Sequence, residues 1–235
     1  EIGNENEEGC VKAVKSTKSS ESEKSSSNES NNTFQEKKGK VDSLEEYDCD
    51  NYRIALSGFS TDIRLQLTSI VEEIQGENGE GVVTDDSGKY THLVVPEKDP
   101  KRTLKVLFAL NRGAKIVTPQ WLYDSLANKK FSDPSKFSSK CFKSKNKKLR
   151  LLKGKKVYIP FMNDSKIPPH DVLSNLLRES KAKVCNNIKH ANMCLASEKY
   201  INSVASEAIA KIVGRENLVT WSWFADSIEK GELQD

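Results

Sequence analysis

The chain has 235 residues, 30 % of them charged and 36 % aliphatic, aromatic or cysteine, with a formal net charge of +3. That length suits one large domain or two of about 100 residues, and so small a net charge is no argument for nucleic-acid binding. No apolar run approaches the roughly 18 residues of a membrane span, and five cysteines without C-x-x-C spacing argue against a disulfide framework or a zinc site and suggest a reducing compartment.

Residues 1–49 are almost entirely Glu, Ser, Lys, Asn and Gly. Such a stretch buries too little surface to offset its ordering entropy, so it is expected to be a disordered tail. From residue 50 the pattern changes. Tyr52 to Gly58 reads as a strand ending in a glycine break, and Asp62 to Ile74 as a helix with Ile63, Leu65, Leu67, Ile70, Val71 and Ile74 near helical spacing. Gly81 to Thr84 and Thr91 to Val95 read as short strands. Arg102 to Asn111 reads as a helix stopped by Gly113. A strand at Ile116-Val117 then leads into a last helix opening at Pro119.

The same order recurs downstream: strands at Lys155–Ile159, Lys183–Cys185, Asn192–Leu195 and Asn217–Thr220, and helices at Pro169–Ser180 and Ser203–Val213. Val117-Thr-Pro-Gln-Trp-Leu-Tyr-Asp-Ser125 and Val219-Thr-Trp-Ser-Trp-Phe-Ala-Asp-Ser227 share Val-Thr-x-x-Trp-x-x-Asp-Ser. Two matching endings about 100 residues apart imply two copies of one small domain. Apolar strands alternating with helices imply a parallel sheet covered on both faces. The expected organisation is a tail at 1–49, a first domain at 50–132, a basic linker at 133–150 and a second domain at 151–235.

These residues resemble the BRCT family, the repeats named after the C-terminus of the breast-cancer susceptibility protein. The resemblance rests on Ser57-Gly58, Thr91-His-Leu-Val-Val95, Gly113-Ala-Lys-Ile-Val117 and Trp121 in the first copy. In the second it rests on Gly154-Lys-Lys-Val-Tyr158, Pro160-Phe-Met-Asn163 and Trp223. It implies an α/β fold of two tandem BRCT-like domains, each a small four-stranded parallel sheet flanked by helices, packed side by side. Trp121 and Trp223 are then structural core. The implied function is a phosphoserine- or phosphothreonine-dependent peptide-binding module of a nuclear DNA-damage or replication-fork scaffold, not an enzyme and without cofactor, metal or small-molecule substrate.

The residues implied for phosphate binding are Ser57, Gly58 and Lys105, and elementary chemistry agrees. Glycine lets a backbone N–H approach an oxygen closely, serine donates a hydroxyl proton, and a lysine in a helix's first turn adds full charge to the macrodipole. The second copy has Ile159-Pro160 where the first has Ser57-Gly58, so it lacks both the hydroxyl and the N–H. Its implied part is one wall of a specificity pocket formed by Leu107, Asn163, Asp164 and Ala225, in which Asp164 and Ala225 are small or acidic and do not favour phenylalanine. Arg102 matches a family arginine that contacts the peptide backbone or a free C-terminal carboxylate, which its planar fork grips bidentately. A phosphorylated histone C-terminal tail is a partner of that kind.

Two other readings stay open: a phosphate-independent scaffold, and a DNA-binding tandem using the basic linker, with weak contact. Catalysis is disfavoured, because His92, His170 and His190 are scattered and Gly81 to Lys89 lacks P-loop spacing. Ser20, Ser22 and Ser43 in the tail resemble acidophilic kinase sites.

Overall fold

The computed structural model describes residues 52–75, 81–84 and 90–234. The tail and its serines, with Cys10 and Cys49, lie outside the described residues. The first repeat runs β1 (Tyr52–Leu56), α1 (Thr61–Gln75), β2 (Gly81–Val83), β3 (His92–Val94), α2 (Leu104–Arg112), β4 (Lys115–Val117) and α3 (Gln120–Ala127). The second runs β5 (Lys156–Tyr158), α4 (His170–Glu179), β6 (Lys183–Cys185), β7 (Met193–Ala196), α5 (Glu198–Ile201), α6 (Val204–Val213), β8 (Leu218–Thr220) and α7 (Trp221–Lys230). Each forms a parallel four-stranded sheet, ordered β2-β1-β3-β4 and β6-β5-β7-β8. The two orders are the same permutation, so the internal repeat read in the sequence is a repeat of topology.

Side chains alternate across a strand, so each sheet must bury two apolar faces. In the first repeat, Ile54, Leu56, Val94 and Val117 face α1 and α3, packing on Leu67, Val71, Ile74, Trp121 and Leu122. Ala55, Leu93 and Val95 face the other way, into a cluster that continues through Val106 and Phe108 of α2 to Leu173, Leu176 and Leu177 of α4 and Phe224 and Ile228 of α7. One apolar core therefore crosses the repeat boundary. Residues 106–111 of α2 are all buried, because this helix covers its own sheet and also meets α4 and α7.

Three local details differ from the sequence pattern. In α1 the inward residues are Leu67, Val71 and Ile74, at helical spacing, while Ile63 and Leu65 are 43 % and 63 % exposed. Helix α2 begins at Leu104 because Thr103 is its N-cap, with extended backbone and a side-chain oxygen accepting from Val106 N–H. The basic segment between the repeats is more than a linker: Phe142 and Leu149 are buried in the shared core. Its backbone crosses Gly113, where a Cβ would lie 2.3 Å from the Lys147 nitrogen and where φ is +77°. Both the left-handed turn and the close approach require glycine there.

The recurring Trp-x-x-x-Ser spacing has a structural use. Ser125 Oγ donates to the Trp121 carbonyl at 2.7 Å and accepts from Ser132 N–H, while Trp121 Nε1 donates to the Ser132 carbonyl. Ser227 Oγ does the same with Trp223 and Gln234, and Trp223 Nε1 donates to the Gln234 carbonyl. Each serine thus ties its last helix to the segment that follows it. Trp121 is fully buried, whereas Trp223 is half-buried against the shared core.

His92 lies inside this first core, stacked on Trp121 at 4.9 Å between ring centroids and near Tyr52 at 5.2 Å. Its Nδ1 meets the Thr91 hydroxyl, and its Nε2 is buried with no hydrogen-bond partner. Burial, with the Lys115 charge in support, lowers its pKa to about 3. The unfolded chain then takes up a proton near pH 6.5 that the folded chain refuses, so stability falls as pH drops from about 6.5 toward 3. At pH 5.5 the loss is about 1.4 kcal/mol. Urea unfolding of wild type and His92→Phe at pH 7.5 and pH 5.5 checks this. The wild type should lose that amount and the variant, which keeps the stack, should not. Parallel losses would assign the pH dependence to another group.

Candidate phosphate-binding site

Ligands of parallel α/β sheets sit beyond the carboxyl ends of the strands. At the carboxyl end of β1 the chain leaves the sheet through Ser57 and Gly58. Ser57 N–H is used by the ladder, donating to the Val94 carbonyl at 3.0 Å, so only its hydroxyl is available for another partner. Gly58 is exposed, has φ of +82°, and its N–H has no acceptor among the described residues. A Cβ there would stand 3.3 Å from Pro96 Cδ in a backbone conformation that side chains rarely adopt.

Helix α2 brings its amino end to the same place. Lys105 Nζ donates to the Leu56 carbonyl at 3.2 Å, one residue before Ser57. Thr103 Oγ1 lies 2.7 Å from Ser57 Oγ and 3.3 Å from Val106 N. Ser57, Gly58 and Lys105, paired in the sequence only by resemblance, are thus neighbours in space, gathered around a helix terminus that favours negative charge. Thr103 is the residue the sequence reading missed. Its position just before an apolar helical run is an N-cap signal. When Thr103 donates to Ser57 Oγ, the Ser57 proton turns outward, toward an incoming oxygen.

Arg102, just ahead of the cap, reaches the second repeat. Its Nη1 donates to Asp226 and, at 2.8 Å, to Glu229, both on α7. Its Nε and other terminal nitrogen have no acceptor among the described residues, so one edge of the guanidinium fork stays open. Arg112, at the far end of α2, donates through Nε to Glu179 of α4 at 2.8 Å and through its second nitrogen to the other oxygen. Asn111 adds buried inter-repeat hydrogen bonds to the Leu176 carbonyl and from Ser180 Oγ. Helix α2 is therefore tied to the second repeat at both ends.

The four residues expected to form one specificity pocket are divided between two places. Leu107 and Ala225 are each 2 % exposed and lie in the shared core. Asn163 and Asp164 line a cleft of about 790 Å³ on the second repeat that neither of them lines. Phe161, 93 % exposed, stands beside it. The Lys166 backbone N–H, 3.0 Å from Asp164 Oδ1, holds that carboxyl below its usual range, so the cleft carries a negative charge at neutral pH.

The second repeat does not duplicate this arrangement. Ile159 and Pro160 are buried where Ser57 and Gly58 stand. After the helix cap, Ser203-Val-Ala205 replaces Thr103-Leu-Lys105, so the lysine is missing too.

Residues 48–126 match the family model described as the BRCA1 C Terminus (BRCT) domain. No curated protein matches at the sequence level. Among solved structures, the BRCT5-BRCT6 domains of S. pombe Brc1 share 14 % identity over 78 % of this chain and 94 % of that one, with a TM-score of 0.52. That likeness shows the fold: two BRCT repeats in tandem. Yeast Rtt107p in complex with a phosphorylated histone (14 % identity, 78 % and 88 % covered, TM-score 0.48) overlays more loosely. Rad4 BRCT1,2 with a Crb2 phosphopeptide (17 % identity, 78 % and 93 % covered, TM-score 0.30) is looser again.

Thr103→Val keeps the side-chain shape but removes the cap and the Ser57 contact. It should lower stability by about 1 kcal/mol, with Thr103→Ser close to wild type, as read by urea unfolding. A Thr103→Val midpoint equal to wild type would mean the cap contributes nothing to the fold.

Proposed function

We propose, from the BRCT match of residues 48–126 and the fold of two BRCT repeats in tandem, that the chain is a phosphoserine- or phosphothreonine-dependent peptide reader of a nuclear DNA-damage or replication-fork scaffold. The observation that carries this is the convergence of Ser57 Oγ, Gly58 N–H and Lys105 Nζ at the carboxyl end of β1. A phosphate monoester carries about −1.5 to −2 charges and three acceptor oxygens. A hydroxyl, a backbone N–H and an ammonium supply one donor for each. Hydrogen bonds to charged groups contribute about 1.5–3 kcal/mol, enough together to make binding depend on phosphorylation.

A finer reading rests on the open edge of Arg102. Asp226 and Glu229 hold one nitrogen of its guanidinium and leave a two-nitrogen fork directed elsewhere. A fork of that kind suits a carboxylate, so the peptide is one that ends soon after its phosphoserine, as a phosphorylated histone C-terminal tail does. The ionised Asp164 beside Asn163 disfavours an acidic residue in the cleft of the second repeat.

The test is a binding titration of phosphoserine peptides, each made with a free and an amidated C-terminus, against wild type and Lys105→Met. Wild type should bind phosphorylated peptides, and the variant should lose about tenfold or more. Amidation should weaken binding several-fold in wild type but not in Arg102→Gln. Equal binding of phosphorylated and plain peptides would overturn the reader. An indifferent C-terminus would overturn only the finer reading and leave the phosphate site in place.

A further inference from the structure

The lysines of the second repeat are unevenly placed. The chain holds 37 basic and 34 acidic residues, yet no Asp or Glu occurs from Pro134 to Asn163 or from Ser180 to Ser197. The fold brings parts of these two stretches together. Strand β5 belongs to the first and β6 to the second, and they pair in parallel with Lys156 opposite Lys183. Paired strands lie about 4.8 Å apart, and like charges directly opposite each other are destabilising. Both lysines are exposed, and neither has an acidic side-chain partner among the described residues.

The pair lines a cleft of about 670 Å³ along the edge of the second sheet. The turn after β6 supplies Asn186, Asn187, Lys189 and His190 to the same cleft, all exposed. Cys185 Sγ donates to the His190 carbonyl, holding this turn against β6. Edge strands are often guarded by lysine against pairing with another chain. That explains Lys183 alone. It does not explain Lys156, which lies on an inner strand, or Lys189, which lies beyond the sheet.

We propose that this edge binds the phosphate backbone of nucleic acid. The lining carries ammonium groups, an imidazole and side-chain amides, with no aromatic or arginine anchor of the kind that dominates protein interfaces. Lysines act as point charges toward phosphate without reading sequence, so the contact is sequence-independent and salt-sensitive. It belongs to the second repeat, on a sheet edge apart from Ser57, Gly58 and Lys105 of the first, and it does not rest on the phosphopeptide reading. Combined with the function proposed above, a tandem so equipped would hold a phosphorylated protein with its Ser57 site and adjacent nucleic acid with this edge.

The experiment uses the whole chain and a short fluorescent duplex DNA of mixed sequence, titrated across a range of salt concentrations. Wild type should bind at low salt, with log affinity falling linearly with log salt. Lys156→Glu/Lys183→Glu should lose tenfold or more in affinity and about 2 in the salt slope, with phosphoserine-peptide binding unchanged. Lys189→Glu, outside the sheet, should shift both in the same direction and decides the matter if the double variant unfolds. Absence of DNA binding by wild type, or equal binding by the folded variants, would overturn the proposal. So would polyglutamate binding as tightly as DNA, because the face would then take an acidic polypeptide.

Discussion

Helix α2 has to satisfy, with nine residues, the packing of its own sheet and of two helices of the next repeat. One side covers Ala55, Leu93 and Val95 of its own sheet, and the other meets α4 and α7 of the next repeat. That leaves little freedom along its length, and its two ends are pinned as well, Arg102 to α7 and Arg112 to α4. An element so constrained makes a rigid platform. What it presents is an amino terminus with its cap and lysine fixed beside the end of β1. The packing that joins the repeats also positions the groups proposed to bind the anion, so the proposed recognition depends on the helix that holds the repeats together.

The two repeats share topology and the serine-to-tryptophan tie, yet they have diverged where ligands meet the sheet. The first ends β1 with a hydroxyl and a glycine, the second ends β5 with an isoleucine and a proline. Proline removes a donor and isoleucine fills space, which suits a strand end that is buried. The second repeat keeps other surfaces instead: α7 carboxylates that orient Arg102, a cleft beside Asp164, and a lysine-lined sheet edge. Duplication supplied the fold twice, and each copy carries different chemistry on it.

Much of this was legible without coordinates, for physical reasons. The succession of strands and helices along the chain follows from short apolar runs between helical periods, and the repeat from one nine-residue pattern used twice. Ser57, Gly58 and Lys105 were found by resemblance, and the structure places them together. Other features depend on distances that no local pattern encodes. Thr103 carried a cap signal, but its 2.7 Å contact with Ser57 joins residues 46 apart in the chain. The partners of Arg102 lie more than 120 residues away. Leu107 and Ala225 were placed in a pocket wall by resemblance, but each is 2 % exposed in the core between the helices, a burial that no local pattern encodes. Ile63 and Leu65 of α1 show the converse, since apolar spacing there did not decide which side faced the sheet.

The central claim is that the end of β1 and the start of α2 form one anion site in the first repeat and none in the second. The most direct measurement is an amide proton–nitrogen NMR titration of the labelled chain with a phosphoserine peptide and its unphosphorylated twin. The account predicts that the Gly58 amide shifts strongly downfield with the phosphorylated peptide alone, with Leu104 and Lys105 following and Ile159 unmoved. A Gly58 amide that stays in place while residues around Ile159 or Asp164 respond would contradict it, and would move the recognition site to the second repeat.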